Sequence, residues 1–308
     1  MKVKIKIFIL LCILIFLPTK NFAIENKILF KIDNEIITTL DILNEAKYLE
    51  LINQEFKKFD DLKIYEIAKN SLIRERIKKN ELKKIYSKIQ LEKKFLEKFT
   101  INYFKRFNLN TIEEVKKLLK ENGLKIADIE KKISIQLMWS ELIFKKFSKN
   151  IKINKKLIRN EISKKKTQEE FLISEIVFNV KDKDDLNMKI NLIKREIMNT
   201  NFYRAAIIYS ISETSVDGGK IGWIKENSLS VKIKNELKKI KIGEITKPIQ
   251  IPGGFIILKI EDKKETALKL DIDKEIESVV KRKTNEQLNQ FSNIYFNKIQ
   301  KNISINEL

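Results

Sequence analysis

The sequence predicts an α+β protein: a mainly helical core made of N-terminal helices and one C-terminal helix, with a smaller β-α-α-β-α-β unit inserted between them. Three observations carry this. All glycines except Gly123 lie between 218 and 254, together with Pro248 and Pro252. From 24 to 217 there is one glycine and no proline, so turn formers are scarce and helices joined by short polar loops are favoured. From Glu169 the pattern changes to a continuous β-type run, "EFLISEIVFNV", and alternates with helical segments from there on. The divisions expected are 1–23, 24–166, 167–263 and 264–308.

The first 23 residues have the layout of a secretory leader. "MKVKIK" is basic, "IFILLCILIFL" is apolar, Pro18 breaks the run and "NFA" ends in a small residue at Ala23. The apolar run is short for a membrane span. Cleavage near Ala23 removes Cys12, the only cysteine; retention as an N-terminal anchor is the alternative.

"ILFKIDNEIIT" then reads as a hairpin turning at Asp33-Asn34. Thr38 with Asp41 makes a capping box that starts a helix. A longer helix follows Asp60-Asp61, with Tyr65, Ala68 and Leu72 on one face. In the next helix Phe95, Phe99 and Tyr103 recur at four-residue spacing. Such a stripe is either core or a surface that grips apolar segments of another polypeptide. Thr111 with Glu114 caps "IEEVKKLLKEN", which Asn122-Gly123 stops. "IADIEKKISIQLMWSELIFKKF" gives a long amphipathic helix. In the inserted unit, helices at "DDLNMKINLIKREIMN" and "NFYRAAIIYS" precede the strand "KIGWI", a helical "SVKIKNELKKI" and the strand "GFIILKIED". Trp223 reads as core, or as a rim contact. The last helix carries Ile276, Val280, Leu288, Phe291 and Tyr295 as an apolar stripe that must be buried.

Composition excludes some chemistry. With no histidine, Ser-His-Asp triads, His-ligated zinc and His bases are ruled out. There are 63 Lys+Arg against 42 Asp+Glu, a net charge of +21. That balance suits nucleic acid, anionic lipid or acidic polypeptides, or reflects lysine-rich solvated faces. Export argues against a nucleic-acid partner.

"SVDGGKIGWI", "IGEITKPI" and "GGFIILKI", in that order, resemble the parvulin (PpiC/rotamase) family of peptidyl-prolyl isomerases over Glu169 to Lys263. With the leader, the helical N-terminal region and the long last helix, the chain resembles the SurA-like periplasmic chaperones with one parvulin domain. The resemblance implies a chaperone core in which the last helix packs on the N-terminal helices. It implies a periplasmic location with no stable membrane insertion after leader cleavage. It implies unfolded outer-membrane proteins as clients, contact with the outer-membrane assembly machinery, and no cofactor or metal. The family's two histidine positions fall at Glu175 and Ile256 and its Cys/Asp position near Ser212, so any catalytic role would rest on Glu175 and Ser212. Leu229 and Ile233 align with the floor of the proline slot, with Ile256 beside them. Client contact falls to Phe95, Phe99 and Tyr103. Three functions stay open: a holdase chaperone, an active prolyl isomerase of exported proteins, or binding of anionic lipid or nucleic acid through the positive charge.

Overall fold

The computed structural model describes residues 26–163, 167–180, 184–267 and 271–308. The leader, with Cys12 and Ala23, lies outside the described residues. Strands β1 (Ile28–Ile32) and β2 (Glu35–Thr38) form the hairpin, with Asp33 at φ +49° in its turn. Helix α1 (Thr39–Ile52) starts at the Thr38–Asp41 capping box, which satisfies two end donors reciprocally. Next come α2 (Asp61–Lys83), α3 (Lys93–Phe104), α4 (Ile112–Glu121), α5 (Ile126–Phe147) and α6 (Lys155–Ser163). The inserted unit holds β3 (Thr167–Phe178), α7 (Asp184–Asn199), α8 (Phe202–Tyr209), β4 (Lys220–Lys225), α9 (Val231–Leu237), β5 (Ile249–Ile251) and β6 (Gly254–Ala267). Helix α10 (Ile272–Gln300) and strand β7 (Ile305–Glu307) close the chain.

The helical part has one large apolar core, to which α10 contributes its second half. Trp139 on α5 is 1% exposed. It stacks on Tyr295 at 5.8 Å, meets Phe296 edge-on and donates from Nε1 to Ser292 Oγ at 2.8 Å. Phe147 stacks on Phe291 at 5.0 Å. The first half of α10 packs elsewhere: Ile276 and Val279 join Ile158 and Ile162 of α6 in a separate small cluster, with Val280 only partly buried beside it. The stripe on α10 therefore has two destinations.

Side-chain direction in α3 separates two readings that sequence spacing left open. Leu96, Thr100 and Phe104 face the core, whereas Phe95, Phe99 and Tyr103 point outward at 56%, 43% and 36% exposure. The aromatic stripe is surface.

In the inserted unit all strand pairs are antiparallel, in the order β4-β3-β6-β5. Successive β3 residues alternate faces. Ile176 and Phe178 meet α7 and α8 on one side; Phe171, Ile173 and Val177 meet α9 and β6 on the other. Two glycines here are obligatory. Gly218 has φ +66° and a Cβ there would stand 2.0 Å from the Tyr203 ring; Gly219 has φ +78° and its Cβ would stand 2.1 Å from the Glu175 carbonyl oxygen. Trp223 is half-buried, with the Lys264 ammonium 4.1 Å over its ring, so it sits at the sheet surface and is not core.

If α10 depends on Trp139, Trp139→Ala should destabilise the fold by about 3–5 kcal/mol. Phe144→Ala on the same helix, at a side chain 53% exposed, should stay within about 0.5 kcal/mol of the parent. Urea unfolding followed by far-UV circular dichroism measures both.

Candidate functional site

Glu175 lies on the face of β3 that carries Phe171, Ile173 and Val177. Its position is fixed along one edge of β3 by two segments, with β6 on the opposite edge. Glu175 N donates to Gly219 O at 2.7 Å, which is where the glycine pair brings the chain in close. Further along the same edge the segment after α8 runs beside β3: Ile211 N donates to Val177 O at 2.7 Å, and Val177 N donates to Ser210 Oγ at 3.0 Å. This strap delivers two hydroxyls to one carboxylate oxygen. Ser212 Oγ donates to Glu175 Oε1 at 2.6 Å and Thr214 Oγ1 donates to the same atom at 2.9 Å. Burial raises the Glu175 pKa above the ordinary carboxylate value, and the two hydroxyl donors pull it partly back.

The apolar residues aligned with the proline slot lie on the same sheet face. Ile256 pairs with Val177 and Ile249 and is 6% exposed; Ile233 is 7% exposed on the first turn of α9. Leu229 is half-buried against the same cluster. Where the family carries its second histidine, this chain has a packed isoleucine. Glu175 and Ser212 are thus brought together, and Leu229, Ile233 and Ile256 share one cluster. Thr214 was missed by sequence reasoning; it lies in the short turn Glu213–Asp217, whose cap at Ser212 was the usable signal.

Helix α10 forms the outer wall of this face. Lys283 Nζ donates to Leu229 O at 2.9 Å, and Asn297 Nδ2 donates to Gly253 O at 3.1 Å. Glu286 has its pKa raised by burial and also by the Glu175 charge. Between α10 and the inserted unit lies a cavity of about 300 Å³, bounded by Ser230, Pro252, Glu286, Gln290 and Phe291.

A second and larger space opens on the other side of the strap. A cleft of about 1100 Å³ separates α1, α2, α3 and α5 from the 207–217 segment. Phe99 and Tyr103 line it together with Tyr48, Phe56, Ile207 and Phe296; Phe95 does not. Tyr48 and Tyr103 hydroxyls meet at 2.6 Å, and Arg106 bridges to Asp217 at 3.0 Å. Among the described residues no cluster of acidic side chains could hold a metal ion, and no helix is long and apolar enough to cross a membrane.

The family model for the rotamase, PPIC-type PPIase domain matches residues 171–262. This segment is a PPIC-type PPIase domain. Similar proteins include chaperones. The chain is 26% identical over 165 residues to Chaperone SurA of Pseudomonas putida, covering 50% of this chain and 39% of that protein. Chaperone SurA of Pseudomonas aeruginosa is 24% identical, with 50% and 40% covered. The match spans about two-fifths of the length of these relatives. Among solved structures, a SurA-like chaperone of Campylobacter jejuni is 18% identical, covers 92% of this chain and 99% of its own, and has a TM-score of 0.38.

Within the PPIase domain the raised Glu175 pKa has a stability consequence. A carboxyl whose folded pKa exceeds its unfolded one makes the fold less stable as pH rises through that window. Glu175→Gln should therefore unfold at a higher temperature than the parent at pH 7. The gap should close on acidification to about pH 4, where the carboxyl is largely protonated in both states. Thermal melts across pH 4–7 test this.

Proposed function

We propose that the protein is a periplasmic holdase chaperone for unfolded outer-membrane polypeptides. In this reading the PPIase domain contributes peptide contact rather than efficient isomerisation. The observation that carries it is the cleft of about 1100 Å³ between the helices and the PPIase domain, with Phe99 and Tyr103 exposed on its wall. Rigid aromatic side chains grip extended segments at low entropic cost. Binding the unfolded state lowers its free concentration and so its aggregation. The reading needs no cofactor. The leader-like segment at 1–23 and the similarity to SurA chaperones support the location and the client class.

Weak catalysis follows from the residues at the slot. An X-Pro bond crosses a barrier of about 18–20 kcal/mol, and lowering it needs polar groups free to favour the twisted amide. Here both hydroxyls are committed to Glu175, and Ile256 supplies none. The second reading, an active isomerase of exported proteins, is favoured by the PPIase domain itself and the cavity of about 300 Å³ beside Pro252.

Light scattering from an aggregating β-barrel polypeptide should be suppressed by the protein near equimolar ratio. Phe99→Ser should need ~10-fold more protein for the same effect, the scale of a truncated aromatic anchor. No suppression at several-fold excess overturns the holdase reading. In a protease-coupled proline-peptide assay, a rate well above buffer would instead favour the isomerase.

A further inference from the structure

The inner wall of the cleft holds positive charge that the protein itself only partly neutralises. Lys132 on α5 is fully answered: its Nζ lies 2.9 Å from Glu45 and 2.6 Å from Glu75. Burial disfavours its charge, yet the two carboxylates hold its pKa above the ordinary lysine value. Arg74 and Lys78, one helical turn apart on α2, are answered differently. Arg74 donates to the Ile211 carbonyl at 2.5 Å and lies 5.2 Å over the Phe296 ring. Lys78 donates to Gln136 Oε1 at 2.8 Å and lies 5.7 Å over the Trp139 ring. None of these partners carries a charge.

The carboxylate within reach of Lys78 is Glu213, at 3.7 Å, well beyond the ~2.7–2.9 Å of a charge-assisted hydrogen bond. Glu213 is 66% exposed and Lys78 only 12%. The same Glu213 is the charge that acts on Arg74, whose pKa burial lowers. Burial likewise lowers the Lys78 pKa to about 8, against the pull of Glu213. Two dehydrated cations sharing one solvated carboxylate is a costly arrangement. It becomes favourable when a second carboxylate enters from the cleft.

We infer that Arg74 and Lys78 receive a carboxylate of the polypeptide held in the cleft, with Glu213 as the internal competitor for the same position. This rests on the chaperone reading and narrows it to segments that pair an acidic residue with aromatic ones. Phe99 and Tyr103 stand in the same cleft to take the latter. The net charge of +21 would draw such segments in from a distance. Glu213 is suited to competing because it lies on a short turn, Glu213–Asp217, at the cleft edge.

Fluorescence anisotropy with two labelled extended peptides tests this. The peptides share one aromatic-rich sequence and differ by a single Glu or Gln. The protein should bind the Glu peptide ~10-fold more tightly, as expected for a hydrogen bond to a charged group. Lys78→Gln should abolish the preference. Glu213→Gln, at an exposed position that should not disturb folding, should enlarge it. Equal affinity for both peptides overturns the inference and leaves the chaperone reading standing, as does a preference that Glu213→Gln leaves unaltered. Binding of neither peptide removes the chaperone reading and the inference together. Displacement of the Glu peptide by a short single-stranded oligonucleotide as readily as by free peptide assigns the cations to phosphate, which also overturns it.

Discussion

The architecture depends on one packing event, the seating of α10 on α5 through Trp139. That indole is surrounded by Tyr295, Phe296 and Ser292, so nearly all its area leaves water, and burial of this kind is the dominant favourable term in folding. Tyr295 then donates its hydroxyl to Glu81 of α2, which ties a third helix into the same contact. Because the PPIase domain is inserted before α10, the contact also decides where that domain sits. Its far end is held by Lys225 to Glu275, at 2.5 Å, on the first turn of α10. One helix serves as lining of the helical core and as support for the insert.

The 210–219 segment joins the two candidate sites. Ser212 and Thr214 turn toward Glu175, while the Ile211 carbonyl, Glu213 and Asp217 turn toward α2, α5 and Arg106. The chain is extended at Ser210 and Ser212 and then tightens into the short turn Glu213–Asp217, so neighbouring side chains leave it in opposite directions. Asn53 adds a further tie, donating to the Tyr203 hydroxyl and to Val216 O. A displacement of this strap at the cleft would therefore be felt at Glu175. That coupling is mechanical, running through about five residues, and needs no long-range pathway.

Much of the fold was legible because local chemistry and tertiary packing agree. The Thr38–Asp41 and Thr111–Glu114 boxes, the Asn122-Gly123 stop and the clustered glycines all sit where their physical roles require. Helix α6 was missed because Ile158 and Ile162 are its only buried positions, too few for periodicity to register. The orientation of α3 was not readable either. Rows starting at Phe95 and at Leu96 both repeat every four residues, and the buried row includes Thr100, so the more apolar row faces out. Of the sites, the Glu175–Ser212 pairing came from the resemblance, since residues 37 apart carry no local sign of contact. The cleft cations were invisible. In a chain with 63 Lys+Arg nothing in the sequence marks Arg74 and Lys78 as buried.

Strand β7 lies beside β1, with Phe30 opposite Glu307 and Ile32 opposite Ile305, and Leu308 N donates to Leu29 O. A polypeptide made from its amino end offers β1 nearly three hundred residues before its neighbour exists. The opening sheet can be completed only when residues 305–307 have emerged. Until then that edge of β1 stays open, and one of the earliest-made elements is among the last to close.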